Sequence, residues 1–162
     1  MRTHIYSLEY GAAVKKEDPG VEAFGAFLRA HAVVLRRLED DLEGEAGVPL
    51  GWYDVLLTLE RAPGRRLRMQ ELGDAVVLSR SRVSRIVDDL ERQGLVTREP
   101  CEADRRAVYA SITRPGRVAL RHAIPSHLRA IDAYFSSLLT EDELVTIRRA
   151  LMRVAEQTTP AR

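Results

Sequence analysis

Apolar residues recur at helical spacing in six stretches of the chain, and polar or glycine positions mark most of their ends. Between Val21 and Glu43, Phe24, Leu28, His31, Leu35, Leu38 and Leu42 alternate by fours and threes, the seam of a helix that pairs with another helix. A loop is predicted at Gly44–Pro49, then a second helix at Trp52–Leu59. Met69–Val77 reads as a short third helix with Leu72 and Val76 on one side. The fourth has Val83, Ile86, Val87 and Leu90 as its apolar face. Ser79 is its N-cap, and Gly94 stands where a left-handed residue ends a helix.

A fifth helix opens at Thr113-Arg114-Pro115, proline being tolerated in a first turn. It runs through Leu120, Ile124, Leu128, Ile131, Phe135 and Leu138, and Pro125 within it predicts a kink. The sixth carries Leu144, Ile147, Leu151 and Val154 behind Thr140, an N-cap whose capping box Glu143 completes. Between the fourth and fifth helices the pattern changes. Leu95–Glu99 and Ala107–Ile112 read as strands joined by the polar loop Pro100–Arg106.

Two short helices joined by a tight turn at Val77–Leu78, then strand, basic loop and strand, predict a winged helix-turn-helix. The fold class is therefore mainly α with a small β wing, its core flanked by N- and C-terminal dimerisation helices. The expected division is an N-terminal arm over 1–20, a helical dimerisation region over 21–48 and 113–162, and a DNA-binding module over 49–112.

The polar side of the fourth helix gives this fold a chemistry. Arg80, Ser81, Arg82, Ser84 and Arg85 occupy its first two turns, with no acid until Asp88. Arginine can pair bidentately with guanine O6 and N7, and serine reaches a base edge or phosphate without steric cost. The competing reading is an ordinary solvated basic face. In the loop, Arg105 and Arg106 are placed to lie along a minor groove, where negative potential attracts guanidinium. Arg65, Arg66 and Arg68, ahead of the third helix, are candidate phosphate contacts.

Charge supports the same face. Residues 61–117 contain 13 Arg against eight Asp or Glu, a net of +5 in a chain of 162 residues whose total is +1. The one cysteine, Cys101, excludes an intramolecular disulfide and fits a reducing cytoplasm. As a thiol sensor it would need an activating environment; the alternative is a bystander. His4, His31, His122 and His127 lack metal-binding spacing, so no metal or cofactor is expected. No apolar run reaches the length of a signal peptide or membrane span.

The residues Leu78, Ser79, Ser81, Val83, Arg85, Val87, Leu90, Glu91, Gly94, Leu95 and Val96 follow one another at a familiar spacing. Asp104-Arg105-Arg106, then Ile112-Thr113 and Gly116, come next. In this order, from about Pro49 to Gly116, the chain resembles the multiple-antibiotic-resistance regulator (MarR) family, and its flanking helices extend the resemblance loosely over all but about the first 20 residues. Two departures are mild: Ile112 replaces a usual Leu, and Gly73 stands where the family often has Ala.

The resemblance implies a cytoplasmic homodimer that binds a near-palindromic operator in double-stranded DNA, its recognition helices about 34 Å apart. It also implies a transcriptional regulator, a repressor relieved by a small-molecule effector, with Asp104 supporting the wing. In the family an effector binds between the dimerisation helices and the DNA module. His31, Trp52, Tyr53 and His127 are the candidates for lining such a site, with an anionic aromatic as the ligand; packing within the core is the alternative for each.

An enzyme is not expected. The chain has no Gly-rich phosphate loop and no nucleophile elbow. Its adjacent pairs Asp40-Asp41 and Asp88-Asp89 point about 100° apart on their helices. The other alternative is a winged helix that binds protein partners, for which phosphate and salt would matter little.

Overall fold

The computed structural model describes residues 18–76, 78–101 and 104–158, with the side chains of residues 101 and 104–106 outside the description. The N-terminal arm expected over residues 1–20 therefore lies almost wholly outside the described residues. Two compact units divide at Arg36/Arg37. Helix α1, Pro19–Ala46, runs through both. It starts two residues earlier than its seam suggests because the Asp18 carboxylate accepts from the Gly20 amide at 2.8 Å, capping the first turn. In the first unit α1 exposes Val21, Phe24, Phe27, Val33 and Leu35, and Phe27 meets His31 with ring centroids 6.0 Å apart. In the second unit it buries Leu38 and Leu42.

The loop predicted at Gly44–Pro49 is shorter than expected. The helix continues through Ala46 and ends at Gly47, whose φ of +65° turns the chain away. Helix α2, Leu50–Arg61, then buries Tyr53, Val55, Leu56 and Leu59. A 3-10 turn at Pro63–Arg65 leads into a strand the apolar pattern did not announce, β1, Arg66–Arg68. Its only apolar residue is Leu67, so no alternation signals it; pairing with a later strand creates it.

Helix α3, Met69–Ala75, buries Leu72 and Gly73, and Glu71 accepts from the Arg68 amide at 2.9 Å at its start. Val77, half of the predicted turn, is outside the described residues. Helix α4, Arg80–Arg92, buries Val83, Ile86, Val87 and Leu90 as the periodicity requires, and the Ser79 hydroxyl accepts from the Arg82 amide at 3.3 Å. Gly94, at φ +69°, lets the Leu95 amide return to the Leu90 carbonyl at 2.9 Å.

Strands β2, Val96–Cys101, and β3, Asp104–Ile112, complete an antiparallel sheet in the order β1-β3-β2. Val96 pairs with Ile112 and Glu99 with Tyr109; the register shifts between Pro100 and Cys101, and Cys101 pairs with Asp104. The loop expected over Pro100–Arg106 is thus mostly strand.

Helix α5, Arg114–Tyr134, begins where the Thr113 hydroxyl accepts from the Gly116 amide at 3.1 Å. It includes Pro125 but stops four residues short of Leu138. Phe135 leaves helical conformation at φ −141°, and Ser136–Leu138 forms a 3-10 turn. Apolar spacing carried no mark of that break. Helix α6, Glu141–Thr158, opens with the predicted box: Glu143 accepts from the Thr140 amide at 2.8 Å. It buries no residue and exposes Val145, Leu151, Met152 and Val154.

The core of the second unit joins Leu42, Leu56, Leu59, Leu72, Leu90 and Leu120 with the sheet residues Val96 and Ala110. Each such leucine contributes roughly 1.5–3 kcal/mol by leaving water. Together they fix α4 against α2, α3 and the sheet.

Candidate nucleic-acid interface

Burial of the apolar face of α4 forces its other face outward. Arg80, Ser81, Arg82, Ser84 and Arg85 are all exposed. The first turn of α4 holds no acid, so Arg80 and Arg82 stand at the positive end of the helix dipole, an arrangement costing about 0.3–1 kcal/mol per charge. A positively charged helix start that lowers stability is what an anionic partner would relieve. Among the described residues no acid pairs with Arg82 or Arg85. Arg80 differs: its Nη2 donates to Asp74 Oδ1 at 2.9 Å.

Acids appear only toward the second half of α4, and two of them are paired from the wing. Arg98 on β2 meets Asp88 and Glu91 at 2.7 Å each, and its Nη2 also reaches the Ser84 carbonyl at 3.4 Å. Its own amide donates to Glu91 at 3.2 Å. Burial works against the Arg98 charge, but the hydrogen bonds to Glu91 and Asp88 outweigh it and raise its pKa further. This tether sets the wing against α4, and it escaped the sequence reading. The spacing of Asp88 and Glu91 on one helix face was the available signal. Asp89, the neighbouring acid, pairs with Arg92 on the same helix.

Of the arginines before α3, Arg68 borders the same region. Arg66 and Arg68 flank the Tyr109 ring at 4.9 and 5.9 Å, and Arg68 Nε donates to the Tyr109 hydroxyl at 3.5 Å. Arg66 also lies 4.0 Å from Glu99, and Arg65 3.4 Å from Glu60, which Arg117 shares at 3.2 Å. A cleft of about 520 Å³ between α3, α4 and the wing has Arg68, Gln70, Ser84 and Arg98 in its walls. Asp104, Arg105 and Arg106 belong to β3 by backbone; their side chains lie outside the described ones.

Of the four effector candidates, Trp52, Tyr53 and His127 belong to the second unit and His31 to the first. Tyr53 is buried and stacks on His127 with ring centroids 4.2 Å apart. His127 Nδ1 is buried without a hydrogen-bond partner among the described residues, and burial pushes the imidazole pKa down. Trp52 is half-buried against the core, whereas His31 is exposed in the other unit. An open apolar cleft of about 510 Å³ at the start of α5, near Val48, Val118 and His122, is lined by none of the four. Among the described residues no three His, Cys, Asp or Glu side chains converge as a metal site, and no helix is long and apolar enough to cross a membrane.

A solvent-facing basic helix start, braced by a second helix and a three-stranded sheet, defines a winged helix-turn-helix protein. Residues 46–107 match the model of the MarR family. The transcriptional repressor MprA of Escherichia coli K12 is 32% identical over 107 residues, 65% of this chain and 61% of MprA. The uncharacterised HTH-type transcriptional regulator YkoM of Bacillus subtilis 168 is 31% identical over 136 residues, 82% of this chain and 86% of YkoM. Among solved structures, Sco3205, a MarR family transcriptional regulator from Streptomyces coelicolor in complex with DNA, superposes with a TM-score of 0.82 at 32% identity. The match covers 87% of this chain and 92% of Sco3205. The chain belongs to the MarR family, whose members named here are transcriptional regulators and not enzymes.

Proposed function

We propose that this protein is a homodimeric, sequence-specific DNA-binding transcriptional regulator, a repressor relieved by a small-molecule effector. The observation that carries the reading is the exposed, acid-free face of Arg80, Ser81, Arg82, Ser84 and Arg85 on a helix whose other face is buried. In this reading α4 enters the major groove of a near-palindromic operator, and the wing carries Arg105 and Arg106 to the minor groove with Asp104 in support. Arg65, Arg66 and Arg68 meet phosphates. The DNA-bound structure of Sco3205 supports DNA as the partner, and the similarity to MprA supports repression. Exposed apolar residues on α1 and α6 support the homodimer. The stacked Tyr53 and His127 are the candidate contacts for an anionic aromatic effector. In this reading the protein works in the cytoplasm.

The test is selection from random duplex DNA with purified protein, followed by titration of the enriched duplex and a scramble at several salt concentrations. A near-palindrome bound at least about 10³-fold more tightly than the scramble is expected. Arg85→Ala should weaken operator binding by roughly 1–3 kcal/mol and relax one base position. A uniform loss, with the salt slope reduced by about one, would reassign Arg85 to a phosphate. No DNA binding at all would leave a protein-interaction module instead.

A further inference from the structure

Among the exposed arginines of α4, Arg80 alone is held by a neighbouring helix among the described residues. Its guanidinium donates to Asp74 Oδ1 at 2.9 Å, from α4 back to α3. The pair is lopsided: the Asp74 side chain is 23% exposed, that of Arg80 70%. The carboxylate is therefore tucked in while most of the guanidinium still faces outward. An ion pair this open adds little to stability. What it does is remove rotational freedom from a long side chain.

Gly73 completes the arrangement. A Cβ there would sit 3.1 Å from Arg80 Cγ and 3.8 Å from its Cα and Cβ. The arginine stem thus lies across a helix surface that has no side chain at that point. Glycine inside a short helix is unfavourable for the helix itself, and here the position serves the neighbour. Stem and one guanidinium edge are both held, and a guanidinium has five N–H donors. An edge can remain for the O6 and N7 acceptors of guanine in the major groove.

We propose that Gly73 and Asp74 preset Arg80 as a base-reading side chain, so that the Asp74–Arg80 pair sets a guanine preference within each half-site. The proposal rests on α4 entering the major groove, as in the function proposed above. Asp74 is a positioning residue; Arg80 is the one that touches the base. Arg82 and Arg85, with no acid partner among the described residues, lack this preset geometry.

The experiment runs the random-duplex selection in parallel on the full chain and on Asp74→Asn, Gly73→Ala, Arg80→Lys and Arg80→Ala. Circular dichroism checks that each variant is folded. The wild type is expected to enrich a motif containing a guanine that Arg80→Ala and Arg80→Lys discriminate about tenfold less well. Asp74→Asn should lose discrimination at that same symmetric position and nowhere else. Because it removes a negative charge, its affinity for the scramble should hold or rise. Loss of guanine preference without loss of general affinity is something a merely structural role would not produce. Gly73→Ala should shift in the same direction as Asp74→Asn, and Asp74→Asn added to Arg80→Ala should change the preference no further.

If Asp74→Asn keeps the preference that Arg80→Ala loses, the positioning role is wrong. If Arg80→Ala weakens all duplexes equally and lowers the salt slope by about one, Arg80 binds phosphate and the proposal falls. If the wild type enriches no motif, the function proposed above fails first and takes this inference with it.

Discussion

The imidazole of His127 packs on Tyr53 with its Nδ1 buried and without a partner among the described residues. Desolvation holds its pKa below the ordinary histidine value. The unfolded chain takes up a proton near pH 6.5, but the folded chain resists until the pH is lower. The neutral ring therefore contributes fully above that value, and its contribution declines as pH falls through the unfolded and then the folded pKa. Urea unfolding should show wild type losing stability between neutral and mildly acidic pH more steeply than His127→Phe, which keeps the ring stack; parallel slopes would remove His127 as the cause. Residue chemistry of short reach was readable in advance. Ser79 and the Thr140/Glu143 box act within three or four positions, and each caps its helix as the sequence implies. Arg98 and Asp74 were not readable in this way, because their partners sit on other elements: the spacing of Asp88 and Glu91 marks a shared acidic face but does not say which arginine meets it.

Elements show the same division between local and distant causes. The apolar face of α4 is in the sequence, and the structure buries all four residues of it. Strand β1 is not, since it exists through its pairing with Tyr109, Ala110 and Ser111. The close approach of α5 to the end of α4 belongs to the same class. A Cβ on Gly116 would fall on the Leu95 carbonyl oxygen and lie 2.9 Å from Ile112 Cγ1. Gly116→Ala should accordingly destabilise by roughly 1–3 kcal/mol. Gly44, inside α1 with nothing within 4 Å of its notional Cβ, should respond in the opposite sense. Gly44→Ala is expected to stabilise by up to about 1 kcal/mol. Thermal or denaturant melts of the two variants check both signs, and a destabilised Gly44→Ala would mean that this surface is covered in solution.

At the scale of the molecule, helices with more apolar face than one chain covers were legible, and the manner of covering was not. Leu151, Met152 and Val154 on α6 remain 41–58% exposed. If a second copy covers them, Leu151→Asp should shift sedimentation from dimer to monomer and weaken binding to a full operator more than to a single half-site. An unchanged dimer would place the interface elsewhere. The junction that starts α5 bears on how such an assembly moves. The Thr113 amide donates to the Leu95 carbonyl at 3.0 Å, its hydroxyl donates to the Gly94 carbonyl at 2.8 Å, and Gly116 closes on the same corner. Mechanically this is a joint without slack. The 21 residues of α5 form an arm whose short end is fixed to the turn that terminates α4. A tilt of that arm, were an effector to cause one, would reach the turn directly instead of being absorbed in a loop. Binding of α4 to DNA would then oppose or favour the same effector to an equal extent.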